Sequence, residues 1–172
     1  MPFAYFDRLS ARDKAIYQRS DRVREIQLAH PELLRPFVEA LVTALSRQER
    51  KGVEAAAGYL CRGITEMLGV PPATVQVLAV RPSSGGGELH GLYTPAARRP
   101  AVIQLWMRTA RHRRVVAFRT FLRTLLHEVG HHLDYHHFKL ADSFHTEGFF
   151  RRESSLFHQL VPGADRGAIR PA

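Results

Sequence analysis

Three residues at one place in the chain have the types and spacing for metal chemistry: His127, Glu128 and His131, in the run His127-Glu128-Val129-Gly130-His131. On a helix, side chains four apart differ by about 40° of rotation and one turn of rise, so both imidazoles reach one ion. Glu128 falls about 100° round from His127, close enough to reach a water on that ion without ligating it. In such an H-E-x-x-H arrangement a zinc ion lowers the pKa of the water and the glutamate takes its proton as general base. The chemistry predicted is zinc-dependent hydrolysis. Gly130 puts no side chain beside the second ligand.

A catalytic zinc takes a third protein ligand and leaves one position open. Cys61 is the single cysteine, which excludes a disulfide framework and a Cys-rich zinc knuckle and leaves His and carboxylates as ligands. His145 stands beyond a loop at the mouth of the last expected helix and is the first choice. Glu153, on that helix, is the second and would complete a His2Glu set. Glu147 ranks below it, beside Gly148 at the helix start. His137 is the third choice, because on an unbroken helix it lies about 240° round from His131. Asp134, one turn after His131, either accepts a hydrogen bond from a ligand imidazole and fixes its tautomer or is a solvated helix carboxylate. Tyr93 is a candidate oxyanion stabiliser. His112, His132, His136 and His158 read as surface residues, and Cys61, Trp106 and Phe118 as core.

Following the H-E-x-x-H helix, His145-Thr146-Glu147-Gly148-Phe149 resembles the third-ligand segment of SprT-like and related minimal zincins. The strands Gly91-Leu92-Tyr93 and Ala101-Val102-Ile103-Gln104-Leu105 and the basic loop after them resemble the usual approach to such a site. The resemblance covers residues 85–160. It implies a metalloendopeptidase acting on a protein or peptide, with His127, His131 and His145 on zinc, Glu128 as the base and Phe149 packed beneath the ligands. The alternative spacing through His137 resembles metzincins and YbeY-type endoribonucleases. Those families turn the chain with a Gly where this one has Asp134, and no Met follows Met107 to make the metzincin Met-turn. The N-terminal helices carry no such resemblance.

The elements that must position these residues follow from hydrophobic period. Period 3.6 predicts helices over about 10–28, with Ser10 as N-cap and His30-Pro31 as stop, then 32–47 and 53–68. These read as scaffold with nothing catalytic in them. Alternation and turn residues predict strands over 74–80, 88–94 and 101–107, with 101–107 as an edge strand able to hold an extended peptide. A loop over 81–87 separates the first two. The 3.6 period returns for the site helix, 115–137, on the stripe Phe118, Phe121 or Leu122, Leu125, Val129 and Leu133, and a last helix covers 149–160. The expectation is one α+β domain over 1–172. A helical scaffold fills 1–70, and a minimal zincin-like core with a short three-stranded sheet on the long helix fills 73–162.

A formal net charge of +9 raises the question of a polyanionic partner. Arg108, Arg111, Arg113 and Arg114, continued by Arg119 and Arg123, run into the site helix and offer a nucleic-acid contact or a metal-stabilised DNA-binding module without catalysis. Lys14, Lys51 and Lys139 are the only lysines, a bias that a GC-rich genome produces without selection for binding. No aromatics interleave with the loop arginines, which favours a solvated loop. With no signal-like start and no run of about 20 apolar residues, the expectation is a cytoplasmic protein without a membrane partner.

Overall fold

A computed structural model describes residues 3–84 and 87–163. In chain order the elements are α1 (Ala11–Arg22), α2 (Arg35–Ser46), α3 (Arg50–Met67), β1 (Ala73–Val80), β2 (Ser83–Ser84), β3 (Gly87–Glu88), β4 (Gly91–Thr94), β5 (Ala101–Arg108), α4 (Phe118–His136) and α5 (Glu147–Leu160). The class is α+β, as the sequence predicts. Gly85 and Gly86 of the expected loop lie outside the described residues. Among the described residues no helix is long and apolar enough to cross a membrane.

The main sheet has the order β1-β5-β4, with β1 parallel and β4 antiparallel to β5. Val75, Val77, Ile103 and Leu105 alternate inward and join the core with residues of α2, α3, α4 and α5. On the outer face Gln104 donates to Gln76 across the β1–β5 pair at 3.2 Å. The expectation that residues 101–107 form an edge is corrected here: β5 is the central strand, with both backbone edges taken. The outer edge of β1 is occupied at Val77, whose N–H donates to Glu54 and whose carbonyl accepts from Arg50. The edge left for an extended partner is β4. The single strand expected over 88–94 is split, because Gly87 and Glu88 pair with Ser83 and Ser84 while Gly91 begins the pairing with β5.

The site helix packs on β4, β5 and α5. It begins three residues later than its periodicity suggests, because Val115 bridges Arg108 and the Val116 N–H donates to the Met107 carbonyl, prolonging the sheet. Phe121, Leu122, Leu125, Leu126, Val129 and Leu133 are its buried stripe.

The first helix is also shorter than expected. Ser10 caps it, accepting from the Asp13 N–H, but it ends at Arg22. Residues 23–28 run extended because α5 supplies their backbone partners. The Leu28 N–H donates to Gln159 at 2.9 Å, and the Ile26 carbonyl accepts from Gln159 at 2.6 Å and from Ser155 at 3.0 Å. Side chains of a distant helix thus outcompete one more turn of α1 for the same backbone groups.

The last helix starts at Glu147, two residues before the expected 149, because the Thr146 hydroxyl accepts from the Phe149 N–H as N-cap. The Gly148 N–H donates to the Asp21 carboxylate at 2.8 Å, and a Cβ on Gly148 would sit 2.5 Å from the Asp21 carbonyl oxygen. Gly148→Ala is therefore expected to lower stability by about 1–3 kcal/mol through overpacking. That is a drop of several degrees in thermal midpoint, readable by circular dichroism; an unchanged midpoint would show that the α1–α5 contact is not tight.

Candidate metal centre

One turn of α4 and the residue two before α5 meet at a point. His127 and His131 come from α4 and His145 from the link to α5, and one ring nitrogen from each lies within 4.8 Å of the others. The Nε2 of His145 is 3.0 Å from that of His127 and 3.1 Å from that of His131. A tetrahedral ion with Zn–N bonds of about 2.05 Å holds its nitrogens about 3.3 Å apart, so the spacing fits a zinc donor set. Glu153 and His137 do not join this group. His137 is exposed at the end of α4, and Glu153 does something else.

The Glu153 carboxylate lies 3.2 Å from His127 Nδ1, with Arg123 3.4 Å away on its other oxygen. A carboxylate only accepts, so Nδ1 carries the proton and the Nε2 lone pair faces the centre. A similar deduction holds for His131. The Ser143 hydroxyl gives its one hydrogen to the Asp134 carboxylate at 2.7 Å, so toward His131 Nδ1, also at 2.7 Å, it accepts. Both α4 imidazoles are held in the tautomer that ligates through Nε2. The expected role of Asp134 is corrected in one detail: it reaches His131 through Ser143 and not directly.

Asp134 is buried completely and Arg152 is 2% exposed. The guanidinium donates to Asp134 at 2.7 Å, to the carbonyls of Ser20 and Val23 at 2.6 Å each, and to the Ser20 hydroxyl. Burial pushes the Asp134 carboxyl up; the guanidinium and the Ser143 hydroxyl oppose that. Its spacing from Phe149 and Leu156 puts Arg152 on the inward stripe of α5, but a charged residue type there reads as a break in the apolar pattern.

Glu128 follows His127 on the helix and is buried against β4. A Cβ on Gly91 would lie 2.4 Å from its carboxylate oxygen, so any other residue there would push the carboxylate from this position. The Tyr93 backbone N–H donates to the same carboxylate, and burial raises the Glu128 pKa to about 7. Burial also lowers the His131 pKa to about 3, keeping that imidazole neutral and able to ligate.

Tyr93 and His132 both depart from expectation. His132 is buried, and its Nε2–H donates to the Pro71 carbonyl at 2.8 Å, leaving Nδ1 to accept from the Tyr93 hydroxyl at 3.1 Å. The one donor of Tyr93 is thereby spent, and its hydroxyl has no hydrogen left for an oxyanion. Its ring stacks on those of His131 and Tyr135 instead.

The floor of the site is Phe149, whose ring centroid lies 5.0, 4.8 and 5.4 Å from those of His127, His131 and His145. Gly130 lets it approach, since a Cβ there would stand 3.0 Å from the ring. The N-terminal segment, whose helices read as scaffold in the sequence, holds the backbone that carries the third imidazole. The Tyr5 hydroxyl donates to the His145 carbonyl at 2.7 Å, and Ser20 meets Thr146 at 3.5 Å.

Two grooves meet at Gly91, His127 and Glu128. One, of about 530 Å³, runs past His90, Arg119 and Arg123; the other, of about 360 Å³, runs past Tyr93, Ser143 and His145. In the basic loop, Arg111, Arg113 and Arg114 are exposed. The Arg108 guanidinium is committed to the Arg113 carbonyl and the Gln48 side chain. No family model, curated protein or solved structure matches the chain.

Ser143→Ala and Glu153→Ala each remove an Nδ1 acceptor while leaving the three imidazoles in place. Each is expected to weaken zinc affinity about 10–100-fold without abolishing binding, as read by competition with a chelator. Unchanged affinity in both would show that these contacts do not set the tautomers.

The Glu128 pKa gives a second test, in the metal-free protein. Its folded value of about 7 lies above the unfolded 4.5, so the folded state holds the proton more tightly. That contribution is complete below about pH 4.5 and is lost as the pH rises through about 7. Glu128→Gln is neutral throughout, so it is expected to match the parent in stability at pH 4.5 and to exceed it by on the order of 3 kcal/mol at pH 8. A gap that does not widen with pH counts against the buried position of the carboxyl.

Proposed function

We propose that this chain is a zinc-dependent metallopeptidase of the minimal zincin type, hydrolysing peptide bonds with Glu128 as general base. The observation that carries the reading is the convergence of three Nε2 atoms, two of them locked by Nδ1 acceptors, one residue away from a buried carboxyl that opens onto both grooves. His127, His131 and His145 would hold the ion, with Glu153 and Ser143 orienting the first two. When bound, zinc supplies a Lewis acid that acidifies a water and polarises the scissile carbonyl.

The remaining steps belong to the chain. Glu128, whose pKa burial raises to about 7, takes the proton from the attacking water and passes it toward the leaving amine. The Tyr93 N–H and the bare Cα of Gly91 hold the carboxylate in place for both transfers. The outer edge of β4 is where the backbone of an extended peptide would pair, in place of β5, through groups other than the Tyr93 N–H that Glu128 holds. The endoribonuclease reading needs His137 as ligand, and His137 stands exposed outside the group. No aromatic side chain lies in residues 108–114, so the proposal does not extend to nucleic acid.

Glu128→Gln is expected to keep one zinc per chain and to lose peptidase activity about 10²–10⁴-fold. His145→Ala is expected to lose the zinc, measured by elemental analysis of the purified protein, whereas Glu153→Ala keeps it. A peptidase rate untouched by Glu128→Gln sinks the mechanism. Zinc retained in His145→Ala sinks the ligand set.

A further inference from the structure

Two large aromatic side chains stand exposed beside the metal centre, Phe3 at 41% and Phe150 at 42%. The Phe150 ring centroid is 5.9 Å from that of His127 and 5.8 Å from that of His145, and Phe3 meets Phe150 edge-on at 6.0 Å. Phe3 is anchored there. Its N–H donates to the Tyr17 hydroxyl at 3.1 Å, and its ring stacks at 6.2 Å on Tyr5, which itself holds the His145 carbonyl. Tyr17 is buried beneath, with Phe6 edge-on at 4.9 Å. The two rings are thus fixed from below and open above, a preformed apolar ledge.

We propose that this ledge, built jointly by the N-terminal segment and α5, is a specificity subsite that takes a bulky apolar or aromatic side chain of the peptide substrate. Its position sets which residue it reads. A side chain lying on Phe150 has its own backbone within one residue of His127 and His145, so the residue read is one that flanks the scissile bond. Stacking and edge contacts with Phe3 and Phe150 favour Phe, Tyr, Leu or Met there over Ser or a charged residue. Phe3 thereby gives the N-terminal segment a part in recognition besides its hold on His145.

The proposal rests on the peptidase reading for its cleavage arm only, and a binding arm stands apart from it. Peptides differing at a single flanking position (Phe, Leu, Ser, Lys or Glu) are compared as substrates of the zinc-loaded enzyme. In parallel, their binding to zinc-loaded Glu128→Gln is followed by fluorescence anisotropy. The Phe and Leu peptides are expected to be cut with about 10–100-fold higher kcat/KM than the Ser peptide, carried mainly by KM, and to bind correspondingly tighter.

Phe150→Ser and, separately, Phe3→Ser are expected to level the series, while Phe150→Leu retains the preference. Phe3 lies outside the core, so its variant keeps the test usable if Phe150→Ser fails to fold. If no peptide is cut yet Phe peptides still bind tighter through the ledge, the peptidase reading fails and the subsite stands. Equal binding across the series overturns the subsite. So does a preference unchanged in both Ser variants, or a ledge whose loss alters only self-association in sedimentation.

Discussion

The buried pair between Asp134 and Arg152 is the constraint on which the rest of the arrangement depends. Taking two charges out of water costs several kcal/mol per ion, recovered only when every donor and acceptor finds a partner. Here they do. Arg152 is shared among Asp134, the Ser20 and Val23 carbonyls and the Ser20 hydroxyl, and its guanidinium lies over the rings of Phe138 and Phe149. Asp134 turns its second oxygen to Ser143. The end of α1, the last turn of the site helix, the link to α5 and α5 itself therefore share one electrostatic node. Removing one partner would leave an uncompensated charge among four elements, so none can shift alone. His131 is attached to that node through a single hydroxyl.

What the sequence made legible is what periodicity and local spacing encode. The stripe from Phe121 to Leu133 marked α4, and the spacing of His127, Glu128 and His131 placed three groups on one face of it. His145 was legible as a companion of His127 and His131 because a histidine just ahead of a helix capped by Thr146 is a local feature. Residues whose partners lie far along the chain were not. The extended segment after Arg22 depends on Gln159 and Ser155, more than a hundred residues away, so local propensity read it as helix. His132 looked like surface because a polar residue between apolar ones usually is, yet its two nitrogens are satisfied by Pro71 and Tyr93. The strand at 101–107 was read as an edge because sequence order does not reveal that β1 comes back beside it.

The same distance effect moved two roles. Glu153 has the right chemistry and roughly the right spacing for a ligand. On α5, however, its carboxylate falls between Arg123 and His127 Nδ1, where it orients an imidazole instead of replacing one. Tyr93 has the right chemistry for an oxyanion, but its hydroxyl hydrogen goes to His132, and what it offers Glu128 is its backbone N–H. In each case the side chain's type was informative and its partner decided the role.

The floor of the site is shared by all three imidazoles. Phe149 closes the centre from below, and its closeness to all three imidazoles requires a glycine at 130 and an N-terminus of α5 held by Thr146 and Asp21. An apolar floor lowers the local dielectric, which penalises protonated imidazole and ionised carboxyl alike. Burial lowers the His131 pKa to about 3, with repulsion from His127 and His145 acting the same way, and burial against β4 raises that of Glu128 to about 7. The opposite shifts leave a neutral imidazole beside a carboxyl that exchanges its proton near neutrality. The glycines at 91 and 130 admit the carboxylate and the ring to this space, so the electrostatics of the centre rest on two missing side chains as much as on the four that are present.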